Sequence, residues 1–126
     1  MSLPDIVDGF VATIIAGGVR ATSDPSAWQA PCVVVDMPEE IDLRETFGGA
    51  RRYVIPLLVI LPTSDPRSAR NALEEMIGTL TGLIEADPDL GGACDSAVPI
   101  DATAPVLQEL QGVPYLTFNL RVEVLD

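Results

Sequence analysis

Histidine and lysine are both absent from the 126 residues, and this double absence governs every chemical reading of the sequence. Without histidine there is no ordinary general base near neutral pH, and no Ser-His-Asp or Cys-His relay. Without lysine, neither a phosphate-binding P-loop nor a Schiff base is available. The glycine pairs Gly17-Gly18, Gly48-Gly49 and Gly91-Gly92 lack the spacing that cradles phosphate at a helix start. Two acidic groups, Glu39-Glu40-Asp42 and Asp87-Asp89-Asp95, are of the type that holds a hard cation. The second begins like a calcium loop, but Pro88 and Gly91-Gly92 break the register and no bidentate glutamate closes it. Both groups read as solvated loop acids. Asp36, inside an apolar run, is expected to point outward or to form a structural ion pair with Arg51 or Arg52. The sequence therefore assigns no catalytic, cofactor-binding or metal-binding residue, and the chain reads as a protein that is not an enzyme.

What remains is recognition chemistry. The single tryptophan, Trp28, stands in a loop between Pro25 and Pro31, a setting for a packed-down lid or for a contact offered to a partner. Arg44, Arg51 and Arg52 form the one basic cluster, around Gly48-Gly49. That cluster reads either as a solvated hairpin tip or as a contact for an acidic face of a neighbouring copy. Tyr53 and Pro56 follow on a run that is apolar on both faces. These six residues, Trp28, Arg44, Arg51, Arg52, Tyr53 and Pro56, are the candidate subunit or partner interface.

Acidic residues number 19 against 7 basic ones, for a net charge of −12. Such a surface repels phosphate backbones and excludes DNA binding through basic contacts. A mean hydropathy of +0.32 beside that charge leaves two readings, a well-filled core or apolar surface facing a partner. Cys32 and Cys94 lie outside any CxxC spacing and are expected as buried reduced thiols. Met1–Pro4 lacks the positive region of a signal peptide, and Val54–Leu61 is too short to span a bilayer, so an aqueous, reducing compartment with no membrane contact is expected.

The elements follow from periodicity. Ile6, Val7, Phe10, Val11, Ile14 and Ile15 mark a first helix, with Ser2 as cap and Gly17-Gly18 as stop. Residues 19–31 read as loop, and Cys32 to Met37 as a strand. Ile41, Leu43 and Phe47 suggest a hairpin arm or protruding loop over 39–50. Arg51 to Pro62 predicts a strand covered on both faces, within the domain or by a neighbouring subunit, with an edge or a bulge at Pro56. Asp65-Pro66 opens a second helix that Asp87-Pro88 ends, with Gly78 and Gly82 inside it either tolerated or marking a close backbone approach. Val98, Ile100, Ala102, Ala104 and Val106 predict an edge arm of a closing hairpin that turns at Gln111-Gly112. The last strand alternates, with Leu116, Phe118, Leu120, Val122 and Val124 facing the core. The class is α+β in one domain over residues 1–126: two helices on a mainly antiparallel four- to five-stranded sheet, in the order α-β-(β)-β-α-β-β.

That order of elements is similar to the tail-terminator (tail-completion) proteins of long-tailed bacteriophages. The features that carry the likeness are the N-terminal amphipathic helix, the Pro31-Cys32-Val33-Val34-Val35 strand, the charged loop, the helix from Asp65-Pro66, the Asp89-Leu90-Gly91-Gly92 loop and the closing hairpin. The resemblance implies a structural virion protein at the head–tail junction, assembled in the host cytoplasm. Its expected form is a hexameric ring that caps the tail tube, ends tube polymerisation and joins the tail to the head connector. Its partners would be further copies of itself, the major tail tube protein and the head-closure protein, with genomic DNA passing through unbound. A head-closure or minor neck protein, or a small bacterial ligand-binding α+β domain, are the alternative expectations.

Overall fold

The stripe of Ile6, Phe10 and Ile14 is buried, and its burial fixes α1 (Leu3–Ala16) against the body. The helix ends as Gly18 turns left-handed, at φ 88°. Val19 N–H then donates to Ile14 O at 3.2 Å and Gly18 N–H to Ile15 O at 2.9 Å, a doubly bonded C-cap. A computed structural model describes residues 3–26, 28–42, 51–62 and 65–126. Ser2, the expected cap of α1, lies outside the described residues, as does the segment 43–50 with Leu43, Arg44, Phe47 and Gly48-Gly49.

After α1 come β1 (Ala21–Thr22), β2 (Cys32–Val35), β3 (Glu40–Asp42) and β4 (Arg52–Pro62). The long helix α2 (Pro66–Ala86) follows, and β5 (Ser96–Ala102), β6 (Val106–Leu110) and β7 (Val113–Leu125) close the chain. The α+β class, the two helices and the mainly antiparallel sheet are as the sequence predicts. The described sheet has seven strands, in the order β1-β2-β4-β7-β5, with β3 added to β4 and β6 added to β7. The extra members are short. β1 lies within the segment read as loop and pairs parallel to β2 through only Ala21 and Thr22.

Asp65 caps α2: its side chain accepts from Ser68 N–H at 3.1 Å and from Ser68 Oγ at 2.9 Å, with Pro66 opening the first turn. Both helices lie on one face of the sheet. Their buried residues Ile6, Phe10, Ile14, Leu80 and Ile84 form one core with Tyr53, Ile55, Leu57 and Val59 of β4 and Phe118, Leu120, Val122 and Val124 of β7. The other face is also closed within the chain: Val54, Ile60, Cys32, Val34 and Thr117 are buried there. β4 is thus covered on both sides without a neighbouring subunit.

Pro56 sits in the middle of this central strand. Its register partner towards β7 is Arg121. On the other side β2 and β3 are separate pieces, and residues 36–39 detour between them while Asp36 N–H donates to Pro56 O at 3.2 Å. The proline therefore stands where the partner ladder is interrupted, and the missing N–H costs no ladder bond. Asp36 is exposed, and its carboxylate accepts from Met37 N–H at 2.8 Å. The expected pairing with Arg52 does not form, because Arg52 is engaged by Glu40 and Glu123.

β5 is an edge strand, as the sequence predicts, and its inward phase is set by a register shift. The register shifts between Pro99 and Asp101, with Ile100 as the extra residue, and Ala97 rather than Val98 faces the core. Val98, Ile100 and Val106 are exposed.

The helix glycines divide by surroundings. A Cβ at Gly9 would meet the Ala93 Cβ at 2.7 Å and Leu90 O at 3.1 Å, so α1 seats against the 90–93 turn only because no side chain intervenes. At Gly78 and Gly82 an added Cβ meets nothing within 4 Å, so no other part of the chain approaches them. Gly9→Ala is expected to cost about 1–3 kcal/mol through overpacking. Gly78→Ala and Gly82→Ala are each expected to add about 0.5–1 kcal/mol. Urea unfolding of the three variants checks both signs.

Candidate assembly interface

The six sequence-selected residues separate in the fold. Tyr53 is buried in the helix-side core, and Pro56 is buried on the opposite face. Neither is available to a partner, because β4 is central rather than an edge. Arg51 is exposed and carries a backbone pair with Asp126, each N–H donating to the other's carbonyl at 2.9 Å. Arg44 lies outside the described residues. Arg52 is half-buried and bridges strands: its Nη1 is 2.8 Å from Glu40 Oε1 and its Nε is 2.9 Å from Glu123 Oε2. The Glu123 hydrogen bond first, and then that of Glu40, hold its guanidinium above the usual arginine range.

Arg121 builds a second bridge on the same face. Its Nη1 is 2.7 Å from Asp101 Oδ2, and its buried Nε is 3.4 Å from Glu39 Oε2 without hydrogen-bond geometry. Together the two arginines tie β3 and its approach, β5 and β7 into one layer. Of the basic cluster that sequence places on the surface, Arg52 thus serves within the chain.

Trp28 is half-buried and meets Tyr115 edge-on, with ring centroids 5.1 Å apart. Its loop is pinned by Asp24, whose carboxylate accepts from Ser26 N–H at 2.9 Å and Ser26 Oγ at 2.7 Å. Those bonds draw the Asp24 carboxyl below its ordinary range. The two rings, with Pro62, Val113 and Pro114, border an open bay of about 540 Å³ that no charged side chain lines among the described residues. A closed pocket with convergent polar groups, the requirement of a small-ligand domain, is not what this bay offers.

The surface that sequence reasoning missed is the hairpin of β6 and β7. Gln111 and Gly112 both have positive φ, 54° and 77°, and form a tight two-residue turn matched to strand twist. β6 touches β7 and stands clear of the helices. Its Val106 and Leu107 are 55% and 74% exposed, and Val113 across the turn is 47% exposed. Between the end of α1, the end of β4 and α2, Gly18, Val19, Pro31, Leu61 and Met76, with Glu75 beside them, line a mainly apolar groove of about 410 Å³. Pro62 lines both this groove and the bay beside the hairpin, so two unlike apolar surfaces lie toward one end of the sheet. The sequence predicts an edge arm here, and the structure adds that its apolar residues Val106 and Leu107 are exposed.

Among the described residues no group of three or more potential ligands is placed to hold a metal ion. Asp87, at the end of α2, accepts instead from Thr13 Oγ1 at 3.3 Å and Gly91 N–H at 3.1 Å. Cys32 and Cys94 are both buried and free, as the sequence predicts. Burial pushes the Cys94 thiol from 9.0 up to about 11, and the charges of Asp126, Asp89, Asp95 and Asp87 act in the same direction. The folded chain then keeps this proton where the unfolded chain loses it. Its contribution to stability is complete below about pH 9 and is lost as pH rises through about 11. At pH 8 the shift leaves about a hundredfold less thiolate than in a free cysteine. Iodoacetamide labelling of Cys94 is expected to be correspondingly slow in the native chain and rapid in urea, with mass spectrometry as the readout. No helix among the described residues is long and apolar enough to cross a membrane. No protein-family model matches the chain, and no curated protein matches it.

Proposed function

We propose that this chain is a structural subunit that packs head-to-tail into a ring, as a tail terminator at the head-proximal end of a long-tailed phage tube. One observation carries the reading: an apolar edge hairpin and an apolar groove beside the helices, two unlike surfaces that the described residues leave uncovered. Unlike surfaces join heterologously, and a heterologous contact whose rotation closes makes a ring. Each such contact covers edge and apolar surface that a lone monomer leaves open. The net charge of −12 supports the second half of the proposal, because a like-charged lumen lets DNA slide without holding it. The hexameric form, the tube and connector partners and the virion location rest on the resemblance in element order. Negative-stain micrographs of tail tubes assembled with this chain test the reading. A ring seated on one end of each tube is expected, and tubes with bare ends at saturating chain would overturn it.

A further inference from the structure

The open edge of β6 has an unusual property: it is complementary to itself. In the β6–β7 hairpin, Leu110 pairs with Val113, Gln108 with Tyr115 and Val106 with Thr117. With a two-residue turn these are the hydrogen-bonded pairs, so Leu107 and Glu109 turn their backbone N–H and C=O groups away from β7. Pro114, opposite Glu109, fits this alternation, since its position needs no N–H towards β6. Among the described residues no backbone group bonds the outward side of Leu107 or Glu109. The other open edges are blunted or short. In β5 the Ala97 N–H is taken by Pro88 O at 2.7 Å, Pro99 has no donor and a register shift follows it. β1 has only two residues and β3 three, two of them acidic.

We infer that two copies of this chain join through β6, antiparallel about a two-fold axis at Gln108, and that this pairing stores the hairpin edge before ring assembly. In that register Val106 faces Leu110 of the second copy and Leu107 faces Glu109. Leu107 and Glu109 then bond reciprocally in both copies, the outward groups of all four residues are satisfied, and Gln108 meets Gln108 across the non-bonded position. The apolar pairs fall on one face, and no like charges stand directly opposite. A one-residue shift in either direction loses the match between outward groups, and a two-residue shift sets Glu109 opposite either Glu109 or Pro105, which has no N–H to give. An isologous pair closes on itself and does not grow, unlike the ring contact. The pairing stands on β6 alone; its role in storage rests on the ring reading, because it masks the hairpin that the ring requires. The net charge of −12 on each copy opposes association, so the dimer tightens as salt rises.

Disulfide trapping tests the register in the full chain. Across a non-bonded antiparallel pair the Cα atoms lie about 4.5 Å apart, within disulfide reach. Gln108→Cys is expected to form a covalent dimer under mild oxidant, while Val106→Cys, about 14 Å from its symmetry mate by strand rise, does not. Native Cys32 and Cys94 are buried and provide the background. Leu107→Pro removes an outward donor without touching a β6–β7 bond, and sedimentation equilibrium is expected to show a dissociation constant raised about tenfold. Equal trapping at both positions, no trapping at Gln108→Cys, or a dimer indifferent to Leu107→Pro would overturn the proposal. Tube capping by a chain that never dimerises would sink this inference and leave the ring reading intact.

Discussion

Replacing Val106 and Leu107 together by aspartate is expected to leave the chain folded and to abolish its assembly. Both side chains are among the most exposed apolar groups of the molecule, so folding gains little from them. The loss of strand propensity is expected to cost less than about 1 kcal/mol at each site. Assembly is another matter. Two carboxylates would be carried into a contact whose partner already bears a charge of −12, and each would lose water without gaining a cation. The association constant is expected to fall at least about a hundredfold. Circular dichroism melts beside sedimentation velocity separate the two effects. A coincident loss of fold and assembly would show instead that the hairpin belongs to the core.

Phe118→Ala is expected to have the opposite signature. Phe118 stands on the helix face of β7, in register with Val59 of β4, and belongs to the core that includes Phe10, Leu80 and Ile84. Its neighbours come from separate elements and cannot all collapse into the vacated space, so a cavity adds to the lost transfer energy. The expected cost is about 3–5 kcal/mol, a large part of the total stability of an ordinary domain. Phe118→Leu keeps most of the volume and is expected to cost less than about 1.5 kcal/mol. Urea titrations with a common slope measure both. A loss below about 1 kcal/mol for Phe118→Ala would mean that the two layers are not packed through β7.

Where the information is local, the sequence was readable. The cap at Asp65-Pro66, the stop at Gly17-Gly18 and the alternation through Leu116, Phe118, Leu120, Val122 and Val124 each depend on a few adjacent residues, and each stands as read. The misreadings share one cause, which is pairing at long range. Pro56 reads as marking an edge or a bulge because proline cannot donate, and the ladder is irregular there, but the extra residues lie in its partner, between β2 and β3. Tyr53 reads as an interface residue because its strand is apolar on both faces, yet the chain supplies both covers itself. One extra residue at Ile100 reverses which side chains of β5 face inward, and no local signal announces it. Trp28 finds Tyr115 from the far end of the chain. Arg52, read as part of a basic contact patch, finds its acids at Glu40 and Glu123 within the same sheet.

The consequence for function is a change of surface. Of the interface candidates chosen by residue type, Tyr53, Pro56 and Arg52 are used internally, and the exposed apolar groups include Val106, Leu107 and Val113 of the β6–β7 hairpin as well as Met37, Ile41, Val98 and Ile100.

The most direct test is the length distribution of tail tubes polymerised from purified tube protein at increasing concentrations of this chain, measured on electron micrographs. The ring-subunit account predicts that mean tube length falls as chain is added, and that the Val106 and Leu107 double aspartate variant has no such effect. Tube lengths unchanged by the wild-type chain, at concentrations well above that of tube ends, would contradict it.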